Sequence, residues 1–132
     1  MAITVKHLKP EFKDARGYIT RLINEPKVKI AAVLYITQKK GTIRANHYHK
    51  NDSHWVYCVS GKFRYYEQDT RKKNAKRTSV IIKPGDLIYS KPYIAHAMEA
   101  LEETVFLAIT TEKRQQAHYE EDTVRLELVK KK

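Results

Sequence analysis

The stretch Gly41-Thr-Ile-Arg-Ala-Asn-His47-Tyr-His49-Lys-Asn-Asp-Ser-His54-Trp-Val-Tyr-Cys-Val-Ser-Gly61 carries three histidines between two glycines. Residues two apart on a β-strand share a face, so His47 and His49 are predicted to point the same way. A hairpin-like turn at residues 51–53 is predicted to bring His54 onto the neighbouring strand beside them. A fourth histidine follows in Lys91-Pro-Tyr-Ile-Ala-His96-Ala-Met, and a distant strand must carry it into the same cavity.

The rest of the chain has the pattern of an all-β protein. Turn-forming residues recur at short intervals and separate runs of β-branched and aromatic residues, which is typical of a β-sandwich or barrel. The predicted strands cover residues 18–23, 28–37, 54–59, 63–66, 78–82, 87–89, 104–110 and 123–129. Residues 112–121 are polar with little apolar periodicity, and they are predicted to form a connection or a short turn.

Length and composition narrow the class of protein. A chain of 132 residues predicts one domain, residues 1–132, whose core needs no disulfide, and the single Cys58 is predicted to be a buried thiol. No stretch reaches the roughly twenty apolar residues of a membrane span and no secretion signal is recognisable, so we expect a cytoplasmic protein. The net charge of +11 is predicted to solvate the surface or to attract a phosphate-bearing ligand; nucleic acid is disfavoured because no binding module is recognisable.

The four histidines form the cluster that carries chemistry. Neutral imidazole is the commonest protein ligand for zinc, iron, nickel and copper. Imidazoles that converge inside a barrel make a pocket for a divalent ion, and a three-ligand site with open positions is of the catalytic type. A lone interior histidine is more often a satisfied core residue, but four at this spacing favour a metal site. Iron, zinc, nickel and manganese all stay open as the ion.

The spacing in the quoted stretch also carries a family resemblance. Gly41, His47, His49 and Gly61 match the first signature motif of the cupins at every spacing, and His54 stands where that family usually has a glutamate. The chain therefore resembles the cupins. The resemblance implies a double-stranded β-helix, the jelly-roll barrel of that superfamily.

The second cupin motif is present in a degenerate form. Gly85 and His96 fit it, whereas Lys91, Tyr93 and Ala100 occupy the positions of its proline, glycine and asparagine. The resemblance, carried over by position, implies a metal held by four imidazoles: His47, His49, His54 and His96. An all-nitrogen set is similar to that of cupin dioxygenases that use iron. Neutral ligands leave the ion its full charge, which favours an anionic substrate.

A looser resemblance concerns nucleotide-sugar enzymes. Asp14-Ala-Arg16-Gly17 and Arg44-Ala-Asn-His47-Tyr-His49-Lys50 resemble the opening and core words of the 3,5-epimerase and 3,4-ketoisomerase cupins. This resemblance implies that His47 is a proton-transfer base, that His49 takes part, and that no metal is needed. Arg16 and Arg44 would hold a pyrophosphate, since guanidinium matches phosphate geometry. The segment Asp14 to Gly17 is equally consistent with a simple hairpin turn. Strand parity places Arg44 on the face opposite His47.

These observations support three hypotheses. The first is a metal-binding cupin that isomerises or epimerises a carbonyl or sugar substrate, in which a histidine or a tyrosine, Tyr57, moves the proton. The second is an iron-dependent dioxygenase, and the third is a non-catalytic module that binds a small ligand. A metal-bound His47 cannot also be a free base, and metal ligation is preferred because it explains His54 and His96. A homodimer is expected, because long apolar strand edges need cover.

Overall fold

The structure is a computed structural model that describes residues 3–113 and 115–130, except for the side chain of Gln116. The strands are β1 Thr4–His7, β2 Phe12–Asp14, β3 Gly17–Ile19, β4 Ala32–Gln38, β5 Ile43–His49, β6 His54–Ser60, β7 Phe63–Asp69, β8 Thr78–Ile82, β9 Asp86–Ser90, β10 Ile94–Ala100, β11 Thr104–Thr110 and β12 Thr123–Arg125. A helix, α1, spans Gln116–Asp122. None of the described helices is long and apolar enough to cross a membrane.

Ten of the strands form two antiparallel sheets that enclose one interior. The first sheet has the order β1-β9-β6-β11-β4 and the second has the order β12-β5-β10-β7-β8, while β2 and β3 make a separate hairpin. Apolar side chains from both sheets pack into one cluster, so the sheets close on each other as a jelly-roll barrel. The prediction of an all-β jelly roll is confirmed.

The core occupies one end of the barrel. It is built by the period-2 alternation of the strands, which sends every second side chain inward. Its fully buried members include Phe63, Tyr65, Ile82 and Ile88, together with Phe106 from the first sheet. This end is packed with apolar groups, so the polar inward positions collect at the other end.

Three local predictions are corrected. Residues 51–53 do not form a hairpin turn, because β5 and β6 belong to different sheets and these residues cross from one sheet to the other. Residues 112–121 were predicted as a connection, yet they contain most of α1. The last strand ends at Arg125 rather than at residue 129, because Leu126 N–H donates to the Asn46 carbonyl and the chain then turns away from the ladder.

Candidate active site

The four histidines meet at the open end of the barrel. His47 and His49 lie on β5, His96 lies opposite on the adjacent β10, and His54 comes from the start of β6 in the facing sheet. The ring centroid of His49 is 4.6 Å from that of His47 and 5.0 Å from that of His54. The ring of His96 lies 4.8 Å from His47 and 5.0 Å from His54. The predicted convergence is therefore present, although His54 reaches the cluster across the barrel.

A β-bulge in β5 decides which side chains join the cavity. The pairing of β5 with β10 shifts between His96 and Ala97, and the extra residue falls where Ala45 and Asn46 adopt positive φ values of 71° and 54°. The Asn46 side chain holds this bulge by exchanging two hydrogen bonds with the backbone of Val129. The tail after β12 thus supports the left-handed residues beside the histidines.

The bulge also overturns the predicted direction of Arg44. Simple alternation places Arg44 opposite His47, but the additional residue between them reverses the parity. Arg44 now pairs with Met98, which faces the interior. Arg44 therefore lines the mouth of the cavity in front of the four imidazoles (the histidine cavity). Its guanidinium donates to the Thr37 carbonyl at 2.9 and 3.2 Å.

Acceptors lie behind three of the rings. The Nδ1 atom of His49 lies 3.2 Å from the hydroxyl of Thr123, which donates its own hydrogen to the Tyr119 carbonyl, and 3.5 Å from a carboxylate oxygen of Asp122. The Nδ1 atom of His54 lies 3.6 Å from a carboxylate oxygen of Asp52. The Nδ1 atom of His96 lies 3.2 Å from the Ile94 carbonyl. These acceptors favour the tautomer that has its hydrogen on Nδ1 and a lone pair on Nε2 directed toward the cavity.

Asp52 and Asp122 were not predicted as functional residues. Asp52 also accepts hydrogen bonds from the backbone N–H groups of Thr111 and Glu112. Arg125, which follows α1 and pairs with Glu120, lies outside this network. Asp122 accepts from the backbone N–H groups of residues 51 and 52, so the two buried carboxylates tie the sheet crossover to the helix. Asp52 could have been found because it lies within the histidine-rich stretch of the sequence. Asp122 lies far along the chain, and only the fold brings it close to His49.

The donor set fits a divalent ion. His54 Nε2 and His96 Nε2 are 3.3 Å apart. Two nitrogens bound to one tetrahedral zinc at about 2.0–2.1 Å each would be separated by about 3.3–3.4 Å. With the hydrogens on Nδ1, these two lone pairs face each other, which is an arrangement that a shared cation would stabilise. A proton is disfavoured, because burial and the three neighbouring histidines hold the pKa of His96 well below its usual value.

The cavity in front of the rings has a volume of about 130 Å³. Its walls are apolar residues of both sheets, and Tyr119 of α1 closes one side, with its ring centroid 6.3 Å from His47 and 5.6 Å from His49. Pockets that enclose a whole drug-sized ligand measure about 300–1,000 Å³, so only the reacting part of a larger substrate would enter here. Tyr119 was missed because residues 112–121 were not predicted to return to the barrel.

Two predicted site residues lie elsewhere. Tyr57 follows His54 by three positions on β6, so it projects from the outer face of the first sheet, and the structure does not bring it to the histidines. Arg16 lies at the tip of the β2–β3 hairpin, where its guanidinium pairs with Asp14 at 2.7 Å and stays exposed. Within one chain, the histidines and Arg44 come together, whereas Tyr57 and Arg16 do not join them.

A buried hydrogen-bonded pair adjoins the cluster from the apolar end. The Tyr65 hydroxyl donates to a Glu67 carboxylate oxygen at 2.8 Å, and the Tyr65 ring stacks on His96 with 6.3 Å between centroids. Burial raises the pKa of Glu67 and holds that of Tyr65 well above its usual value. This pair separates the imidazoles from the apolar core.

A two-sheet jelly roll with histidines gathered at its open end is the architecture that the cupin resemblance predicts. The family profile of the cupin domain matches residues 34–110, so the chain belongs to the cupin domain family. No curated protein sequence matches the chain.

Three of the solved structures with a similar fold are ketoisomerases or epimerases. A 3,4-ketoisomerase from Helicobacter canadensis has a TM-score of 0.77 at 18% identity, with 95% of this chain and 91% of that chain covered. A sugar 3,4-ketoisomerase from Thermoanaerobacterium thermosaccharolyticum in complex with TDP has a TM-score of 0.74 at 20% identity, covering 93% and 87%. A dTDP-4-dehydrorhamnose 3,5-epimerase from Sulfolobus tokodaii has a TM-score of 0.70 at 16% identity, covering 86% and 80%. These identities establish the shared fold.

Proposed function

We propose that this cupin isomerises or epimerises a keto-sugar carried on a nucleoside diphosphate. The observation that carries the proposal is that His47, Arg44 and Tyr119 line one cavity, with 6.3 Å between the ring centroids of His47 and Tyr119. The ketoisomerase and epimerase activities of the structural neighbours support the same reaction class. A cavity of about 130 Å³ admits the sugar end of such a substrate, and the nucleotide stays outside.

The reaction needs a base beside the carbon next to the keto group. In this proposal His47 removes that proton, and the C–H electron pair forms a carbon–carbon double bond as the keto oxygen receives a proton from Tyr119. Returning the proton to the opposite face of the same carbon gives the epimer. Loss of the neighbouring hydroxyl proton, with protonation of the former keto carbon, gives the shifted ketone. Histidine suits this step because its ordinary pKa is near neutrality.

We further propose that His49, His54 and His96 hold a divalent ion, which leaves His47 as the base. The three proposed ligands are those whose Nδ1 atoms face Asp122, Asp52 and the Ile94 carbonyl, an arrangement that orients metal-binding imidazoles in proteins. When bound, the ion would polarise the keto oxygen. This assignment reserves His47 for proton transfer, whereas the sequence prediction gave it both roles. It therefore differs from the two sets whose ligand atoms already lie within 4.8 Å of one another, which are His47, His49 and His96, and His49, Asp52 and His54. The identity of the ion, iron, zinc, nickel or manganese, is open.

Arg44 is the proposed anchor for the diphosphate. It lies at the cavity mouth, and a guanidinium matches phosphate geometry with two parallel N–H bonds. Arg16 is exposed on the hairpin, so within this proposal it meets substrate only from a second copy of the chain. A homodimer is proposed on the exposed apolar residues of β4, Val33 at 63% and Tyr35 at 70% exposure. Sedimentation velocity of wild type and Tyr35→Asp would show a dimer converted to monomer.

The test follows proton abstraction directly. The protein is incubated in D₂O with TDP-4-keto-6-deoxyglucose, the ligand of one ketoisomerase neighbour, and deuterium entering the sugar is measured by mass spectrometry. We expect incorporation by wild type and by Tyr57→Phe, and a loss of about 100-fold or more in His47→Asn. Metal analysis of the same samples should show an ion retained in His47→Asn and lost in a His49→Ala, His96→Ala double variant.

The contrary outcomes identify the alternatives. Equal incorporation by His47→Asn would refute His47 as the base. Incorporation by a metal-free wild type would refute the ion and favour acid–base catalysis by His47 and His49 alone. No incorporation, with iron bound and oxygen consumed, would favour the dioxygenase that an all-nitrogen ligand set permits. Substrate that raises the melting temperature without turnover would favour a binding module.

A further inference from the structure

One hydroxyl group connects the histidine cavity to the end of α1. Thr123 follows α1 directly and lies opposite His49 in the antiparallel pairing of β12 with β5. The residue is only 8% exposed, and its Oγ1 atom lies 3.2 Å from His49 Nδ1 and 2.6 Å from the Tyr119 carbonyl oxygen. Directly opposed residues of an antiparallel pair have Cβ atoms about 4.5–5.5 Å apart, so the contact with His49 follows from the strand register.

The two contacts fix the direction of both hydrogen bonds. A threonine hydroxyl has one hydrogen to donate and two lone pairs that accept. The Tyr119 carbonyl only accepts, so the single hydroxyl hydrogen of Thr123 goes to that oxygen. Toward His49 the hydroxyl can therefore only accept, and the hydrogen between these two groups belongs to His49 Nδ1. In a neutral imidazole the other nitrogen, Nε2, then holds a lone pair.

Asp122 is the competing partner of the same nitrogen. Its carboxylate oxygen lies 3.5 Å from His49 Nδ1, beyond the range of about 2.7–3.2 Å for N–H···O hydrogen bonds, whereas Thr123 lies within that range. The carboxylate also accepts the backbone N–H groups of Asn51 and Asp52, at 2.7 and 3.2 Å, and these contacts hold it on the sheet crossover. The Thr123 hydroxyl is therefore the nearer acceptor for the hydrogen of His49.

The same hydroxyl holds the end of α1 against the cavity. The last carbonyls of a helix have no partner within the helix, and Thr123 satisfies that of Tyr119 from four residues further along the chain. Short helices are marginal in water, so α1, with seven residues, depends on contacts such as this one. The Tyr119 ring lies 5.6 Å from the His49 ring, measured between centroids. One side chain thus sets the placement of both groups.

We propose that Thr123 is a positioning residue: its hydroxyl selects the Nδ1–H tautomer of His49, so that Nε2 offers its lone pair to the cavity, and it ties Tyr119 to the same imidazole. This role rests on the proposed function, in which His49 binds the ion and Tyr119 donates a proton. Thr123 acts through these two residues and not on the substrate. Removal of such an outer partner typically lowers metal affinity by about 10–100-fold.

The test measures the tautomer of His49 in metal-free protein at about pH 8, where the ordinary histidine pKa of about 6.5 leaves imidazoles neutral. ¹⁵N NMR of histidine-labelled protein distinguishes the two tautomers, and the His49 signals are those missing from His49→Gln. We expect the wild type to carry the hydrogen on Nδ1. Thr123→Val keeps the side-chain shape and removes the hydroxyl, so the ratio of the Nδ1–H to the Nε2–H form should fall by about three- to tenfold. Thr123→Ser should keep the wild-type ratio.

Thr104→Val is the matched control. Thr104 is a buried threonine whose hydroxyl donates to the Glu102 carbonyl at 2.9 Å, and it lies at the opposite end of β11 from Thr110, which pairs with His54. Both valine variants lose a buried hydroxyl, and only Thr123→Val should change the His49 tautomer. Zinc affinity, measured by competition with a chromophoric chelator, should fall by about tenfold in Thr123→Val and stay within about twofold of wild type in Thr123→Ser and Thr104→Val.

Four results would overturn the role of Thr123. They are a wild-type His49 with its hydrogen on Nε2, an unchanged tautomer ratio in Thr123→Val, an equal change in Thr104→Val, and a zinc affinity that does not follow the tautomer. The first is measured on the wild type and stands whether or not Thr123→Val folds, and the second would assign the tautomer to Asp122. A wild type that binds no zinc or incorporates no deuterium would refute the proposed function instead, and the His49 tautomer would still decide the role of Thr123.

Discussion

The two ends of the barrel interior follow different physical rules. At the closed end, aromatic and aliphatic side chains such as Phe63 and Phe106 are almost fully buried. Each buried side chain of this size stabilises the fold by about 1.5–3 kcal/mol through the removal of apolar area from water. At the open end, four imidazoles and two carboxylates are nearly as buried, and they need hydrogen bonds or an ion merely to offset their desolvation. The closed end therefore stabilises the fold, whereas the buried polar groups at the open end reduce the net stability.

The largest effect is expected at the closed end. Phe106→Ala should lower the free energy of unfolding by about 3–5 kcal/mol, because it removes a ring that packs 5.6 Å from Phe63, where the core borders the histidine cavity, and leaves a cavity that rigid strands cannot close. Urea denaturation measures the change. Phe12→Ala is the matched control, since that ring is 52% exposed on the hairpin and should cost far less. Equal losses in the two variants would mean that the closed end is not the source of stability.

At the open end, a substitution is expected to change the unfolding free energy in the opposite direction. His96→Met replaces a buried imidazole by an apolar side chain of similar length, and in chelator-treated protein near neutral pH it should leave stability unchanged or raise it by about 1 kcal/mol. The same variant should bind no ion at the proposed site. A loss comparable with that of Phe106→Ala would show that the histidine cluster is itself a stabilising core.

Acid should increase the difference in unfolding free energy between the wild type and His96→Met. Burial and the neighbouring histidines lower the pKa of His96, so the unfolded chain binds its proton near the ordinary pKa of about 6.5 while the folded chain does not. Stability is therefore lost as the pH falls below about 6.5, by up to about 1.4 kcal/mol per pH unit for one proton. His96→Met lacks this loss of stability in acid. Glu67, whose raised pKa makes acid stabilising, is present in both proteins and does not contribute to the difference. Urea curves at several pH values measure the widening, and His118→Met at the surface should not reproduce it.

How much of this was readable from the sequence differs between the two ends. Turn residues at short intervals between β-branched and aromatic runs predicted the β-barrel, and strand periodicity predicted the shared face of His47 and His49, because both are local properties. The same parity rule, applied through β6, already puts Tyr57 on the face opposite His54. Arg44 could not be placed by parity, since a bulge of two left-handed residues held by a distant tail reverses it.

The supporting shell of the site was the least predictable part. Asp122 and Tyr119 reach the histidines only because α1 packs back on the barrel, and nothing near them in the sequence signals that contact. Similarly, the turn residues 51–53 look like a hairpin locally, and only the pairing of the complete sheets shows that the chain crosses between them. Local patterns specify faces and elements, whereas the choice of sheet is made by long-range packing.

The smallest effect is expected where the two ends meet on β6. Cys58 shares the inward face with His54 but lies four residues deeper, where burial and nearby Asp86 raise the pKa of its thiol to about 11. At about pH 8 only about 0.1% of such a thiol is ionised, so the folded protein should show no reaction with an aromatic disulfide reagent while the unfolded chain reacts fully. A Cys58→Ala, Val59→Cys variant is the matched control, because Val59 is 44% exposed and points outward, and its thiol should react within minutes. Fast labelling of Cys58 in the folded wild type would mean that water reaches past the histidines, and the separation of a packed end from a chemical end would then be wrong.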